Sequence, residues 1–352
     1  MGSIMRGIGR NGLVRNRPAT SLERPNSGSP RHFIQNHFAR TLAVAITAAL
    51  LCAVFASPAS AVTGYNSLDY PGAIATTAAG VFGSNVVGRY VDAGGTDHAF
   101  LYNGVTYSNI DVPGSSESFG QGINGSTIVG IFTDAGDPAG HLHGFIKNGA
   151  SYTTLDHPLA PPGDPNADTA AYGVYGAITV GSYNPGVGIT HGYTYDGSTY
   201  TNLPDHPLGT NSTQFEAIFN STMVGTINGG SLPRGFIYNG SSFTTLDHPL
   251  GVNGTMAHGI YASNIVGEYT DASSVTRGYL YNGSTYTTLE VPLSTQTSAN
   301  GIWGDTVVGT YTDTAGNAHG YITSIPEPGT LALAFMASLL ATRRRGRRGK
   351  TE

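Results

Sequence analysis

The chain reads as an all-β protein, a six-bladed β-propeller of four-stranded antiparallel blades, and three observations predict it. One phrase is written six times: Val-Gly, a turn acid, His/Arg-Gly-aromatic, Asn-Gly, then Tyr-Thr-Thr-Leu-Asp. Its His/Arg marker falls at His98, His143, His191, Arg234, Arg277 and His319, at steps of 45, 48, 43, 43 and 42 residues, the length of one blade. Between Val62 and Thr323, Gly, Thr, Ser, Tyr and Val dominate while Lys, Glu and Leu are scarce, a strand-forming composition. Finally, the first three strands of the unit occur six times, but the fourth occurs only five times inside the repeats. The missing copy stands ahead of them, at Tyr65-Asn66-Ser67-Leu68-Asp69.

The elements follow in chain order. Residues 1–61 have the three-part layout of a secretory signal. A long basic n-region carries Arg6, Arg10, Arg15, Arg17, Arg24, Arg31 and Arg40; an apolar run follows from Thr41 to Ala56. Ser57-Pro58-Ala59-Ser60-Ala61 supplies the small residues, Ala59 and Ala61, that signal peptidase requires. Cys52 follows Leu51 rather than a small residue, which argues against a lipoprotein. No Cys remains in 62–325, so an exported domain must be held by its core alone.

Residues 62–325 form the repeat domain. In the fourth copy, Phe215–Phe219, Met223–Ile227, Gly235–Tyr238 and Phe243–Leu246 read as four successive strands, and Pro249 ends the unit. Asn239-Gly240 predicts a type I′ hairpin between strands three and four, repeated at Asn103, Asn148, Asp196 and Asn282. The fourth strands are Tyr107–Asp111, Tyr152–Asp156, Tyr200–Leu203, Phe243–Asp247 and Tyr286–Glu290. The sixth copy stops at Thr323, so the spacing predicts that Tyr65–Asp69 pairs with its third strand and closes the ring.

Residues 62–325 hold four basic side chains against fifteen Asp and four Glu, although the whole chain is only −5. A domain this acidic is repelled by nucleic acid and by anionic membrane surfaces. Asp-His-Pro recurs at Asp156-His157-Pro158, Asp205-His206-Pro207 and Asp247-His248-Pro249. His and Asp together are metal-ligand types, but Tyr70, Val112 and Val291 stand at the matching places, so Asp capping a turn and His packing beside Pro is the reading preferred. The turn acids Asp92, Asp134, Asp271 and Asp313, with Asp97 and Asp137 nearby, make calcium a possible ligand; none fits a full calcium-loop spacing, and Asx-turn chemistry is the ordinary alternative. Sequons at Asn124, Asn220 and Asn253 read as turns. No nucleophile elbow, phosphate loop or His-Glu zinc motif appears. Glu117, Glu216 and Glu268 are the acids without repeat equivalents, and a paired-carboxylate glycosidase would draw on such residues.

The end of the chain, 326–352, is Pro326-Glu327-Pro328, an apolar run from Thr330 to Ala341, then Arg343-Arg344-Arg345-Gly346-Arg347-Arg348. A helix over 330–341 rises only about 18 Å against about 30 Å of hydrocarbon, a poor permanent span. This segment resembles the PEP-CTERM sorting signals of exported bacterial proteins. The resemblance implies transient membrane anchoring and removal of the tail by an exosortase-type membrane protease. The repeats resemble the HAF-type extracellular repeats, through His98-Ala99-Phe100 and its copies His143-Gly144-Phe145, His191-Gly192-Tyr193 and His319-Gly320-Tyr321. That resemblance implies an extracellular protein and carries no activity with it. The sequence therefore reads as a surface or matrix protein, structural or adhesive, binding carbohydrate through exposed tyrosines. The competing reading is a polysaccharide-acting enzyme using carboxylates in the propeller mouth. A cluster of non-repeated acids in the channel would favour the latter.

Overall fold

The computed structural model describes residues 64–325 apart from 138, 139, 162, 163, 165 and 166. The signal segment with Ala59 and Ala61, and the sorting segment with Pro326, Glu327, Pro328 and the 330–341 helix, lie outside the described residues.

The described residues form six four-stranded antiparallel sheets and no helix. A short strand, β1 (Tyr65–Leu68), comes first. Blade 1 is β2 to β5 (Ala75–Phe82, Asn85–Val91, Asp97–Tyr102, Tyr107–Asn109). Blade 2 is β6 to β9 (Ser115–Asn124, Thr127–Asp134, Leu142–Asn148, Ser151–Leu155). Blade 3 is β10 to β13 (Ala167–Tyr175, Ile178–Pro185, His191–Tyr195, Tyr200–Asn202). Blade 4 is β14 to β17 (Ser212–Phe219, Thr222–Asn228, Arg234–Tyr238, Phe243–Leu246). Blade 5 is β18 to β21 (Thr255–Tyr261, Asn264–Thr270, Thr276–Tyr281, Tyr286–Leu289). Blade 6 is β22 to β24 (Gln296–Trp303, Thr306–Thr312, Ala318–Ser324) with β1 as its fourth strand. The pairing runs Tyr65↔Thr323, Asn66↔Ile322, Ser67↔Tyr321 and Leu68↔Gly320.

The repeated phrase is a packing instruction. In five blades the aromatic of the third strand lies flat across the glycine of the second. A Cβ on Gly88, Gly130, Gly181, Gly267 or Gly309 would stand 2.6–2.9 Å from the ring of Phe100, Phe145, Tyr193, Tyr279 or Tyr321. Only glycine lets that ring down onto the sheet. All five rings are fully buried. The fourth-strand leucines complete the layer between blades: Leu68, Leu155, Leu246 and Leu289 are all buried. Each blade thus buries its faces against its neighbours, which is how a ring of small sheets makes a continuous core.

Two expectations are corrected. The hairpins between strands three and four are not type I′. Gly104, Gly197, Gly240 and Gly283 have positive φ, but the Asn or Asp before each does not. That side chain instead accepts two backbone N–H groups: Asn239 Oδ1 takes those of Ser241 and Ser242 at 3.0 and 2.8 Å. An Asx turn does the work that a second positive φ would have done. The tyrosines are not exposed either: all twenty are buried or half-buried, because the repeat uses them as core.

Candidate functional site

The first strand of each blade lines the centre. β2, β6, β10, β14, β18 and β22 touch one another in order, and β22 touches β2. Every one carries a β-bulge at the same place, between Ala78 and Gly80, Gly120 and Gly122, Ala171 and Gly173, Phe215 and Ala217, Ala257 and Gly259, and Ala299 and Gly301. A bulge leaves one residue outside the ladder and re-aims its side chain. Here those residues are Ala79, Gln121, Tyr172, Glu216, His258 and Asn300. The frame repeats, and the residue it presents does not.

The glycine after each bulge explains why the inner strands come so close. A Cβ on Gly122 would meet the Tyr172 carbonyl oxygen at 2.5 Å, and one on Gly301 would meet that of Ala79 at 2.5 Å. Blade 4 has Ala217 at this position, so the seam between blades 4 and 5 alone accommodates a methyl group.

At that seam the bulge residues meet. His258 Nδ1 lies 2.5 Å from Glu216 Oε2, and His258 Nε2 lies 3.9 Å from Glu268 Oε2 on β19. All three side chains are largely buried. Burial works against the imidazolium, but the two carboxylates outweigh it and push His258 up to about 10. Burial also works against the Glu268 charge, and the hydrogen bonds from His258 and Ser298 outweigh it and hold that carboxyl below its usual range. Asn300 is fixed beside them, its Nδ2 donating to the Ala78 carbonyl at 2.8 Å and its side-chain oxygen accepting from Ser298 Oγ at 2.7 Å.

Across the channel, a cavity of 360 Å³ is lined by Thr77, Ala79, Arg89, Phe119, Gln121 and Tyr172, among others. Arg89 bonds Asp97 at 3.1 Å and sits 5.5 Å over the Phe119 ring. Burial raises the Tyr172 phenol far above its ordinary value, with Glu216 and Asp168 adding to it, so it stays a neutral hydrogen-bonding group.

The repeat markers are elsewhere, at the ends of the strands. Each pairs with the acid that follows its blade's fourth strand: His98 with Asp111 at 2.6 Å, His143 with Asp156 at 2.6 Å, His191 with Asp205 at 2.9 Å, Arg234 with Asp247 at 2.6 Å, Arg277 with Glu290, and His319 with Asp69 at 3.0 Å. The position therefore calls for a group that bonds this carboxylate, and a guanidinium serves as well as an imidazole. The Asp of Asp-His-Pro is this partner, a correction to its reading as a turn cap. Two cavities of 510 Å³ each open beside such pairs, at His143–Asp156 and at Arg234–Asp247.

The His of Asp-His-Pro packs. His157 lies 3.7 Å from the Tyr183 ring at 9°, and His248 lies 3.7 Å from the Tyr269 ring at 7°. Their Nδ1 atoms accept the N–H of Leu159 and Leu250, as that of His206 accepts Leu208. Each sits among the aromatics of a different blade. Tyr70 does the same in blade 1, stacked 3.6 Å from Tyr90. Among the turn acids, Asp92, Asp271 and Asp313 each hold two backbone N–H groups through Oδ1 and a marker cation through Oδ2. Among the described residues no group of three or more His, Cys, Asp or Glu is arranged to hold a metal ion. Asn124 accepts the Gly176 N–H and Asn253 donates to the Asp271 carbonyl.

Of the three non-repeated acids, Glu216 and Glu268 come together around His258, while Glu117 stands elsewhere on β6. His258, Tyr172, Gln121 and Asn300 were not singled out from the sequence. The signal was there, as the middle residue of Ala-His-Gly, Ala-Tyr-Gly, Gly-Gln-Gly and Ala-Asn-Gly at one fixed place in the repeat.

No family model matches the chain, and no curated protein matches it. Among solved structures it is similar to a mutant of the Aleuria aurantia lectin in complex with alpha-methyl-L-fucoside, at 13% identity, over 73% of this chain and 92% of that one, with a TM-score of 0.45. It is similar to the Trypanosoma rangeli sialidase at 8% identity, over 81% and 61%, with a TM-score of 0.45. It is also similar to the β-propeller domain of the Trilobed protease from Pyrococcus furiosus at 8% identity, over 72% and 94%, with a TM-score of 0.43. Likeness at this level says nothing of ligand or activity.

Proposed function

We propose that the protein is an exported binding protein of the cell surface or extracellular matrix, structural or adhesive in role, whose propeller takes carbohydrate in its central channel. One observation carries this reading: the six bulge positions are equivalent in the fold yet hold Ala79, Gln121, Tyr172, Glu216, His258 and Asn300. A propeller that only filled space would repeat these residues as it repeats the core. Amide, phenol and carboxylate groups beside an aromatic face are what sugar hydroxyls and ring C–H groups bind. The export signal ending at Ala59 and Ala61, the sorting motif Pro326-Glu327-Pro328 and processing by signal peptidase and an exosortase-type protease belong to the same proposal. So does ring closure, in which β1 serves as the permanent fourth strand of blade 6 once the signal is removed.

A glycan array with the secreted protein, with and without calcium, tests the reading. Binding should appear and should be lost in Tyr172→Ala. An array without signal, or binding indifferent to Tyr172, would overturn it.

The enzyme reading gains one observation, that Glu216 and Glu268 share a site. Against it, a hydrolase needs one carboxyl held protonated to donate to the leaving group. Here the imidazolium of His258 lies between the two, and Glu268 is held ionised. Release of reducing ends from any polysaccharide that the array identifies would reinstate the enzyme.

A further inference from the structure

A second position varies from blade to blade beside the bulges. It is the residue after the second-strand glycine, which the register makes Arg89, Ile131, Ser182, Thr226, Glu268 and Thr310. In blades 5 and 6 the bulge side chain reaches it: His258 Nε2 lies 3.9 Å from Glu268, and Asn300 Nδ2 donates to Thr310 Oγ1 at 3.2 Å. In blade 1 the bulge residue is Ala79, which is too short to cover Arg89. The Arg89 side chain is 45% exposed, against 23% for Glu268, and Arg89 and Ala79 both line the 360 Å³ cavity. That volume is within the range of ligand pockets, about 300–1,000 Å³.

The lining of this cavity runs against the composition of the domain. Residues 62–325 hold nineteen acids against four Lys and Arg, yet no Asp or Glu is among the described residues that line it. The two larger cavities do have carboxylates, Asp156 in one and Asp247 in the other. Here the polar groups are Arg89, Thr77, Gln121 and Tyr172, each with an N–H or O–H to donate. Among the described residues the Arg89 side chain makes one hydrogen bond, from Nη1 to Asp97 at 3.1 Å, which leaves Nε and Nη2 for an acceptor. One carboxylate does not use up a guanidinium in this chain: Arg277 bonds Asp271 through Nε and Glu290 through Nη1 at once. Arg234 shows what the Nε–Nη2 edge holds, donating through both atoms to Asp247 at 3.0 and 2.6 Å.

Building on the carbohydrate reading, we propose that the channel selects an acidic sugar, a uronate, whose carboxylate docks on Arg89 in this cavity. Nε and Nη2 present the parallel pair of N–H groups that a planar carboxylate accepts. The Tyr172 phenol, the Gln121 amide and the Thr77 hydroxyl are left for the oxygens of the sugar ring and its hydroxyls. The surplus acids of the domain stand outside the cavity lining. At about 0.15 M salt, exposed charges more than about 8 Å away are largely screened, so the guanidinium in direct contact decides the preference.

The test is isothermal titration of the secreted protein, at about 0.15 M salt, with galacturonate and mannuronate tetramers, the methyl ester of the galacturonate tetramer and a glucose tetramer. At least one acid tetramer should bind about tenfold tighter than both neutral ones, and the glycan array should be led by uronates. The acid preference should vanish in Arg89→Gln. Binding should be blocked in Ala79→Tyr, which fills the cavity with the side chain that blade 3 carries at Tyr172. Both variants are checked for native circular dichroism. The methyl ester or the glucose tetramer binding as tightly as the acids would overturn the carboxylate assignment and leave the carbohydrate reading standing. So would an array led by neutral or sulfated glycans, an acid preference unchanged in Arg89→Gln, or binding unchanged in Ala79→Tyr. If no tetramer binds and the array is also blank, both readings fall.

Discussion

Removing β1 should open the ring, and the cost can be worked from its contacts. A chain beginning at Tyr70 keeps that residue's stack on Tyr90 but loses the four-residue ladder to β24. It loses Leu68, 5% exposed, from a cluster with Ala78, Val81, Val86 and Val308. It loses Tyr65, set edge-on to Tyr321 at 5.4 Å, with its hydroxyl accepting the Glu290 N–H at 3.1 Å. Leu68 burial contributes about 2 kcal/mol, the aromatic pair about 1, and the several backbone hydrogen bonds together about 3. The half-exposed Asp69–His319 pair adds little. The loss is then about 6 kcal/mol, against roughly 5–15 kcal/mol for a whole domain. For a domain of this size that corresponds to a fall of about 10–20 °C in melting temperature. Scanning calorimetry on chains starting at Val62 and at Tyr70 measures it, with light scattering to register aggregation through the bared edge of β24. Equal melting temperatures would refute the reasoning, since a propeller held by five complete blades would then not need the sixth to be closed.

Three further outcomes follow from the same structure. His258→Ala leaves Glu216 and Glu268 facing each other without their cation, and should cost about 3 kcal/mol by urea unfolding, recovered in part when Glu216 is also changed to Gln. Gly301→Ala drives a methyl to 2.5 Å from the Ala79 carbonyl and should destabilise by about 1–3 kcal/mol, whereas Ala217→Gly, where a Cβ is already accommodated, should cost under about 1 kcal/mol. The histidines make stability peak near pH 6.5. Burial works against His98 and His319 and their carboxylates outweigh it, and the Asp156 hydrogen bond raises His143 against a smaller effect of burial, so their contribution is whole below the ordinary histidine value and fades as pH rises through the raised ones. Burial lowers His157, His206 and His248, the last to about 4, so their contribution is whole above that ordinary value and fades as pH falls. Thermal melts from pH 4 to 9 read this, and His248→Tyr, which copies Tyr70 of blade 1, should flatten the acid limb.

The architecture was legible because it is made of repeated necessities. Gly88 and Phe100 must be glycine and aromatic for the same steric reason as Gly130 and Phe145, so period, strand order and the orphan Tyr65–Leu68 could all be read from spacing. The His/Arg marker and the acid after the fourth strand were visible as letters but not as partners. They lie 13 or 14 residues apart within five blades and 250 apart in blade 6, and only the antiparallel return of the fourth strand brings them together.

The channel was harder for a reason that belongs to bulges. A strand's period of two assigns alternate residues to opposite faces, and a bulge breaks that count for one residue. Counted straight through, Glu216 would share the environment of Gln214, and His258 that of Met256. The extra residue turns them inward instead, and the following glycine lets the neighbouring backbone come within contact. The same device placed six times on a ring makes six independently variable positions, without disturbing the core that surrounds them. Ala79 at one of them shows that no particular side chain is needed for folding there. Residues as costly to bury as Glu216 and His258 would then be expected at such positions only for what they bind.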